Sequence, residues 1–97
     1  MYEVDRSIKS FRRSVRTIAK RGNDMSKLER TIDLLASGNP MPPNYQDHPL
    51  RGNYIGYREC HVEGAGDWVL IYKKDNNLLI LVLTATGTHS DLFESGT

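Results

Sequence analysis

The chain has 97 residues, of which 38% are hydrophobic and 26% charged, and its formal net charge is +1. That is one domain's worth of sequence, residues 1–97, with material for a single core and the composition of an ordinary globular protein. No apolar run is long enough to cross a bilayer, and the lone cysteine, Cys60, excludes both an internal disulfide and a cysteine metal cage.

The amino-terminal "MYEVDRSIKSF" carries charge but no apolar signal-peptide core, so a reducing cytoplasm is the expected compartment. Tyr2 to Val4 reads as a short opening strand. Ile8, Phe11, Val15 and Ile18 then recur at steps of three, four and three, the spacing of one helical face, with Arg12, Arg13, Arg16 and Lys20 on the others. Gly22 stops this helix. The basic face belongs to a lopsided chain: residues 1–30 hold nine Lys or Arg against four Asp or Glu, and residues 31–97 hold four against eight. Such a division suits a polyanionic partner, nucleic acid first, although a plain solvated helix face carries the same charges.

A second helix begins near Asp24 or Ser26, where Ser26 and Glu29 have capping-box spacing. It buries Leu28, Ile32 and Leu35 and ends at Gly38 and Pro40. The two helices form an antiparallel hairpin. From "NPMPPNYQDHPLRGN" no regular element is expected, because four prolines fix φ and withhold donors; a loop this long in so short a chain is more often functional than idle. Three strand-like runs follow at 54–62, 67–74 and 78–86, with "EGAG" and "DNN" as hairpin turns. The third run is apolar on both faces at its start, which predicts a central, buried strand. The sum is an α+β fold, β-α-α-β-β-β, with the helical hairpin on one side of a small antiparallel sheet and a short C-terminal helix or turn.

Polar residues suited to chemistry cluster late in the chain. His48 lies in the proline-rich loop, Arg58, Glu59 and His61 on the first long strand, and Asp67 and Trp68 at the start of the next. His89 and Phe93 follow the last strand. Hairpin pairing would set His61 and Asp67 around one turn and bring His89 near them. The histidines are 13 and 28 residues apart, unlike the short helical pairs of zinc enzymes, so a metal site gains little support from spacing. Two classes stay open on these residues alone: an acid–base enzyme acting on RNA, and a basic binding module that merely carries histidines.

Three strings narrow the choice. "YQDHPLRGNYIGYRECHV", "DWVLIYK" and "TGTHSDLF", in this order and spacing, resemble the YafQ branch of the RelE-like toxins of bacterial toxin–antitoxin modules. The likeness covers nearly the whole chain, including the basic hairpin with "DMSKLERTIDLL". It implies a RelE-like ribonuclease fold and a toxin that enters the A site of the 70S ribosome and cuts messenger RNA without a metal or other cofactor. It also implies a cognate antitoxin that wraps the toxin, operator DNA bound through that complex, and no membrane. By motif, His48, His61, Asp67 and His89 fall in the catalytic site. His89 would be the general acid, with the other three sharing base and orienting roles. Phe93 would stack on a base, Arg58 would lie at the substrate, and Arg12, Arg13, Arg16, Lys20 and Arg21 would meet ribosomal RNA phosphates.

One position departs from the family pattern. Arginine usually stands directly before "TGTH", and here the residue is Ala85. An arginine there would hold a phosphate whose charge grows in the transition state, which alanine cannot do. The chain is then a naturally weakened toxin, one whose arginine was replaced to disarm it, or one in which Arg51 or Arg58 supplies the charge; the otherwise intact site favours the second. The runner-up function is a non-catalytic RelE-fold protein that binds antitoxin and, in that complex, operator DNA.

Overall fold

The structure is a computed structural model that describes residues 1–63 and 66–94. In chain order it contains β1 (Glu3–Asp5), α1 (Lys9–Lys20), α2 (Met25–Ala36), β2 (His48–Pro49), β3 (Arg58–His61), β4 (Val69–Asp75) and β5 (Ile80–Gly87). A π-helical turn at Ser90–Glu94 follows the last strand. The strands form one sheet in the order β1-β5-β4-β3-β2. The α+β layout is the expected one, with two differences in the sheet. β1 pairs parallel to β5, Val4 opposite Leu81, so the sheet is mixed rather than wholly antiparallel. The proline-rich loop also contributes an edge strand, β2, antiparallel to β3.

Phe11 and Ile18 of α1 and Leu28, Ile32 and Leu35 of α2 pack against Cys60, Leu70, Tyr72, Leu81 and Leu83 of the sheet. Each such large aliphatic or aromatic side chain contributes about 1.5–3 kcal/mol relative to exposure. Burial also pushes the Cys60 thiol up to about 12, so it is an inert packing group. Asp24, not Ser26, caps α2: its carboxylate accepts from the Ser26 N–H at 3.1 Å and hydroxyl at 2.6 Å. Glu29 pairs with Arg6 at 2.7 and 3.0 Å instead of reaching back to the cap. Among the described residues no helix is long and apolar enough to cross a membrane.

The strands are shorter than the apolar runs suggest. Gly52–Tyr54 form a 3-10 turn and Gly56 adopts φ +94°, a conformation natural to glycine, so β3 starts only at Arg58. Leu78 and Leu79 are exposed in the turn before β5, where the Asp75 carboxylate accepts from the N–H groups of Asn77 and Leu78 at 3.0 and 2.9 Å. The start of that run is therefore not buried; Leu81 and Leu83 are, with β5 held between β1 and β4. Gly64 and Ala65 of the expected "EGAG" turn lie outside the described residues.

A bulge in β5 decides which side chains reach the site. Tyr72 lies opposite Leu83 and Ile71 opposite Ala85, which leaves Thr84 unpaired in the ladder. Before the bulge Leu81 and Leu83 face the helices. After it Thr86 takes the inward place, buried and bonded to the Trp68 indole N–H at 2.9 Å, so Ala85 and Gly87 turn to the opposite face. β1 pairs β5 only as far as Val82, and α1 covers the edge beyond. There the Ser10 hydroxyl donates to the Thr84 carbonyl at 2.7 Å, and the Thr86 N–H donates to the Ser14 hydroxyl at 3.1 Å.

Candidate active site

On the sheet face away from the helices, strand register lines up His48, Glu59, Ile71 and Ala85 across four strands. His61, Val69 and Gly87 form the next row. Ile71 and Val69 are fully buried and make an apolar floor. Above it sits Glu59, which is only 3% exposed. Its Oε2 meets His48 Nε2 at 3.1 Å and His89 Nε2 at 3.3 Å, while Oε1 is buried with no hydrogen-bond partner among the described residues.

His89 is held from three sides. Asp67 Oδ1 accepts from its backbone N–H at 3.1 Å and meets Nδ1 at 2.5 Å, and Glu59 meets Nε2. A carboxylate can only accept, so the ring satisfies both partners when both nitrogens carry hydrogen. The Asp67 hydrogen bond accordingly raises the His89 pKa above its ordinary value, with the charge of Glu59 adding and partial burial opposing. Asp67 itself is lowered by the same bond.

His61 is set differently. Its Nδ1 lies 2.7 Å from the Gly66 carbonyl, so Nδ1 carries the hydrogen and Nε2 keeps its lone pair in the neutral ring. The His61 and His89 ring centroids are 5.7 Å apart. Phe93 stacks on His89 at 5.9 Å and 29° and receives Tyr54 edge-on at 5.4 Å. It thus packs between the imidazole and Tyr54.

The "TGTHSD" string has a mechanical meaning here. Asp91 turns back to accept from the Thr88 N–H at 2.9 Å and from both terminal nitrogens of Arg21 at 2.6 and 3.0 Å. Those bonds hold the Asp91 carboxyl well below the usual carboxylate range. A Cβ on Gly87 would stand 2.9 Å from Asp91 Oδ2, so glycine leaves room for the carboxylate that sets the turn carrying His89 and Phe93.

Strand pairing and the C-terminal turn thus bring His48, His61, Asp67 and His89 together around Glu59. Two expected residues lie elsewhere. Arg58 stands opposite Tyr72 in the helix-facing row, and its guanidinium goes to Asp47 at 3.3 Å from two nitrogens. Arg21 is engaged by Asp91. Arg12, Arg13, Arg16 and Lys20 are exposed along α1, and their side chains make no hydrogen bond or ion pair among the described residues. Glu59 is the group missing from the motif reading. Its signal was its phase: two residues before His61 on one strand, it must share that face. Glu59, His61 and His89 each offer a ligand atom within 4.8 Å of the others, a set suited to zinc or copper. An ion there would occupy the lone pairs that proton transfer needs.

Residues 2–94 match the family model described as the bacterial toxin of type II toxin–antitoxin system, YafQ. The mRNA interferase toxin YafQ of Escherichia coli strain K12 is 44% identical over 84 residues, covering 86% of this chain and 87% of that protein. The crystal structure of YafQ from E. coli strain BL21(DE3) superposes with a TM-score of 0.84 at 38% identity, covering 96% of this chain and 99% of the other. YafQ in the E. coli DinJ–YafQ complex gives 0.82 at 39% identity, with 96% and 99% covered.

Proposed function

The chain belongs to the YafQ family of bacterial type II toxins, and on that premise we propose that it is an mRNA endoribonuclease that cuts in the ribosomal A site by metal-free acid–base catalysis. One observation carries the chemistry: two imidazoles 5.7 Å apart have different hydrogen-bond partners, His61 with Nδ1 on the Gly66 carbonyl and His89 with both nitrogens facing carboxylates. His61 Nε2 takes the proton of the RNA 2′-hydroxyl, and the 2′-oxygen attacks the adjacent phosphorus. His89 Nε2 gives its proton to the departing 5′-oxygen, leaving a 2′,3′-cyclic phosphate and a 5′-hydroxyl. Asp67 fixes the His89 ring and favours its charged form. Glu59 holds the His89 proton until substrate arrives and steadies His48 at the edge of the site. Phe93, beside His89, offers a face on which a base can stack.

The test is primer extension on messenger RNA from a translating extract. Discrete cuts within codons support the enzyme. Unbroken messenger RNA with antitoxin binding intact supports the non-catalytic reading, which Ala85 keeps in play. The DinJ–YafQ complex supports a cognate antitoxin as partner, and the proposal extends to operator DNA bound through that complex and to action in the cytoplasm.

Asp67→Asn should shift the pH profile in a defined direction. The carboxylate raises the His89 pKa, so its loss lowers that pKa. A general acid works only while protonated, so the alkaline limb of the cleavage rate should move to lower pH; a limb that stays in place removes Asp67 from this role. The free cations of α1 predict ribosome binding that is steeply salt-dependent. If about four phosphates are neutralised, affinity falls on the order of 100-fold between 50 and 200 mM salt, by analogy with duplex DNA. Filter binding over that range checks it, and a flat response removes α1 from the RNA interface.

A further inference from the structure

We propose that Asp47, tied to the buried Tyr72 hydroxyl and to Arg58, is a positioning residue that holds His48 against Glu59. The inference rests on the proposed function, with His48 as an orienting group at the edge of its catalytic site. β2 is only His48 and Pro49, paired with Glu59 and Arg58, and Pro49 has no N–H for the ladder. One further backbone bond, from the Leu50 N–H to the Tyr57 carbonyl at 2.9 Å, continues the pairing. So short an edge strand, entered from a proline-rich loop, has little of its own to set register, and a slip of one residue would turn His48 to the wrong face.

The restraint comes from the preceding residue. Asp47 points to the helix-facing side, where its Oδ1 accepts from the Tyr72 hydroxyl and both its oxygens meet Arg58 at 3.3 Å. Tyr72 is fully buried in β4 and belongs to the hydrophobic core. Its hydroxyl needs an acceptor there, and burial with the Asp47 bond raises its pKa, keeping it a donor. Asp47 and His48 therefore straddle the sheet edge. One is fastened to the core, and the other is consequently presented to Glu59 at 3.1 Å.

Tyr72→Phe deletes only the hydroxyl. In histidine-ring NMR of the full chain it should move and broaden the His48 signals most, shift those of His89 less, because that ring shares Glu59 Oε2, and leave those of His61 in place. Single-turnover cleavage should slow on the order of 10- to 100-fold, as expected for a misplaced active-site group. The double variant His48→Ala/Tyr72→Phe should be no slower than His48→Ala, because the two act through one ring. Asp47→Asn, which retains an acceptor for Tyr72, should keep most of the rate. Asp47→Ala carries the same cycle should Tyr72→Phe fail to fold. Unmoved His48 resonances in Tyr72→Phe and Asp47→Ala overturn the inference, as does an additive loss in the double variant. The NMR result stands even if the parent chain cuts no RNA, an outcome that would count against the ribonuclease reading alone.

Discussion

Replacing Ala85 by arginine should raise messenger RNA cleavage on the order of 100- to 1,000-fold, the usual worth of one transition-state charge donor. The argument starts from the bulge. Because Thr84 is the extra residue, position 85 faces the site, in one row with Ile71, Glu59 and His48 and beside the row of His61. A guanidinium grown from that backbone would start from the face that carries His48, Glu59 and His61, where the proposed reaction sets the scissile phosphate. No other arginine in the site now does this work. Arg58 is spent on Asp47 behind the sheet and Arg21 on Asp91, which leaves Arg51, exposed and without a side-chain partner among the described residues.

Glu59 supplies an independent sign. Its buried Oε1 has no hydrogen-bond partner among the described residues, a condition that costs about 1–3 kcal/mol. Ala85 is two strands from Glu59, about 10 Å by strand spacing, a span that arginine and glutamate side chains bridge. Ala85→Arg should therefore also raise the melting temperature. Single-turnover cleavage and a thermal melt of the same preparation check both effects. An unchanged rate would mean that Arg51 or another group already supplies the charge.

How much of this was legible beforehand depends on whether the signal was local. Ile8, Phe11, Val15 and Ile18 announced α1 by spacing, and all four pack on or within the core. Asp24, Gly22 and the prolines marked ends and loops by their own chemistry. The three motif strings named His48, His61, Asp67 and His89, but only strand pairing puts them in one place. What stayed hidden was long-range. The parallel pairing of β1 with β5 leaves no local trace in three residues, and a bulge at Thr84 cannot be told from regular alternation in "LVLTATG". Arg58 was misdirected for the same reason: without register, a strand residue beside two active-site candidates gives no clue that it faces the helices. Glu59 was readable in principle, since a carboxylate in phase with His61 and flanked by the buried Cys60 has to be held by something.

His89→Gln should lower cleavage on the order of 100- to 10,000-fold, the range of a general acid, while ribosome binding is retained. Glutamine preserves bulk and an N–H that can reach Glu59, and it leaves the Asp91 anchor of the turn untouched, so the fold and the α1 surface persist. What it lacks is a proton it can surrender at neutral pH. Because the parent is expected to be slow with alanine at position 85, the comparison belongs in single turnover with toxin in excess over ribosomes, repeated with Ala85→Arg in both proteins. Undiminished cutting in either background removes His89 as the acid. The same substitution has a stability signature with a fixed sign. The folded chain raises the His89 pKa above its ordinary 6.5, so the imidazolium contributes stability that is fully present below that value and is lost as pH rises through the folded one. His89→Gln should therefore melt with a shallower pH dependence across this window. A parent and variant that lose stability in parallel would show that Asp67 and Glu59 do not hold a charged ring, and the proton for the 5′-oxygen would have to come from elsewhere.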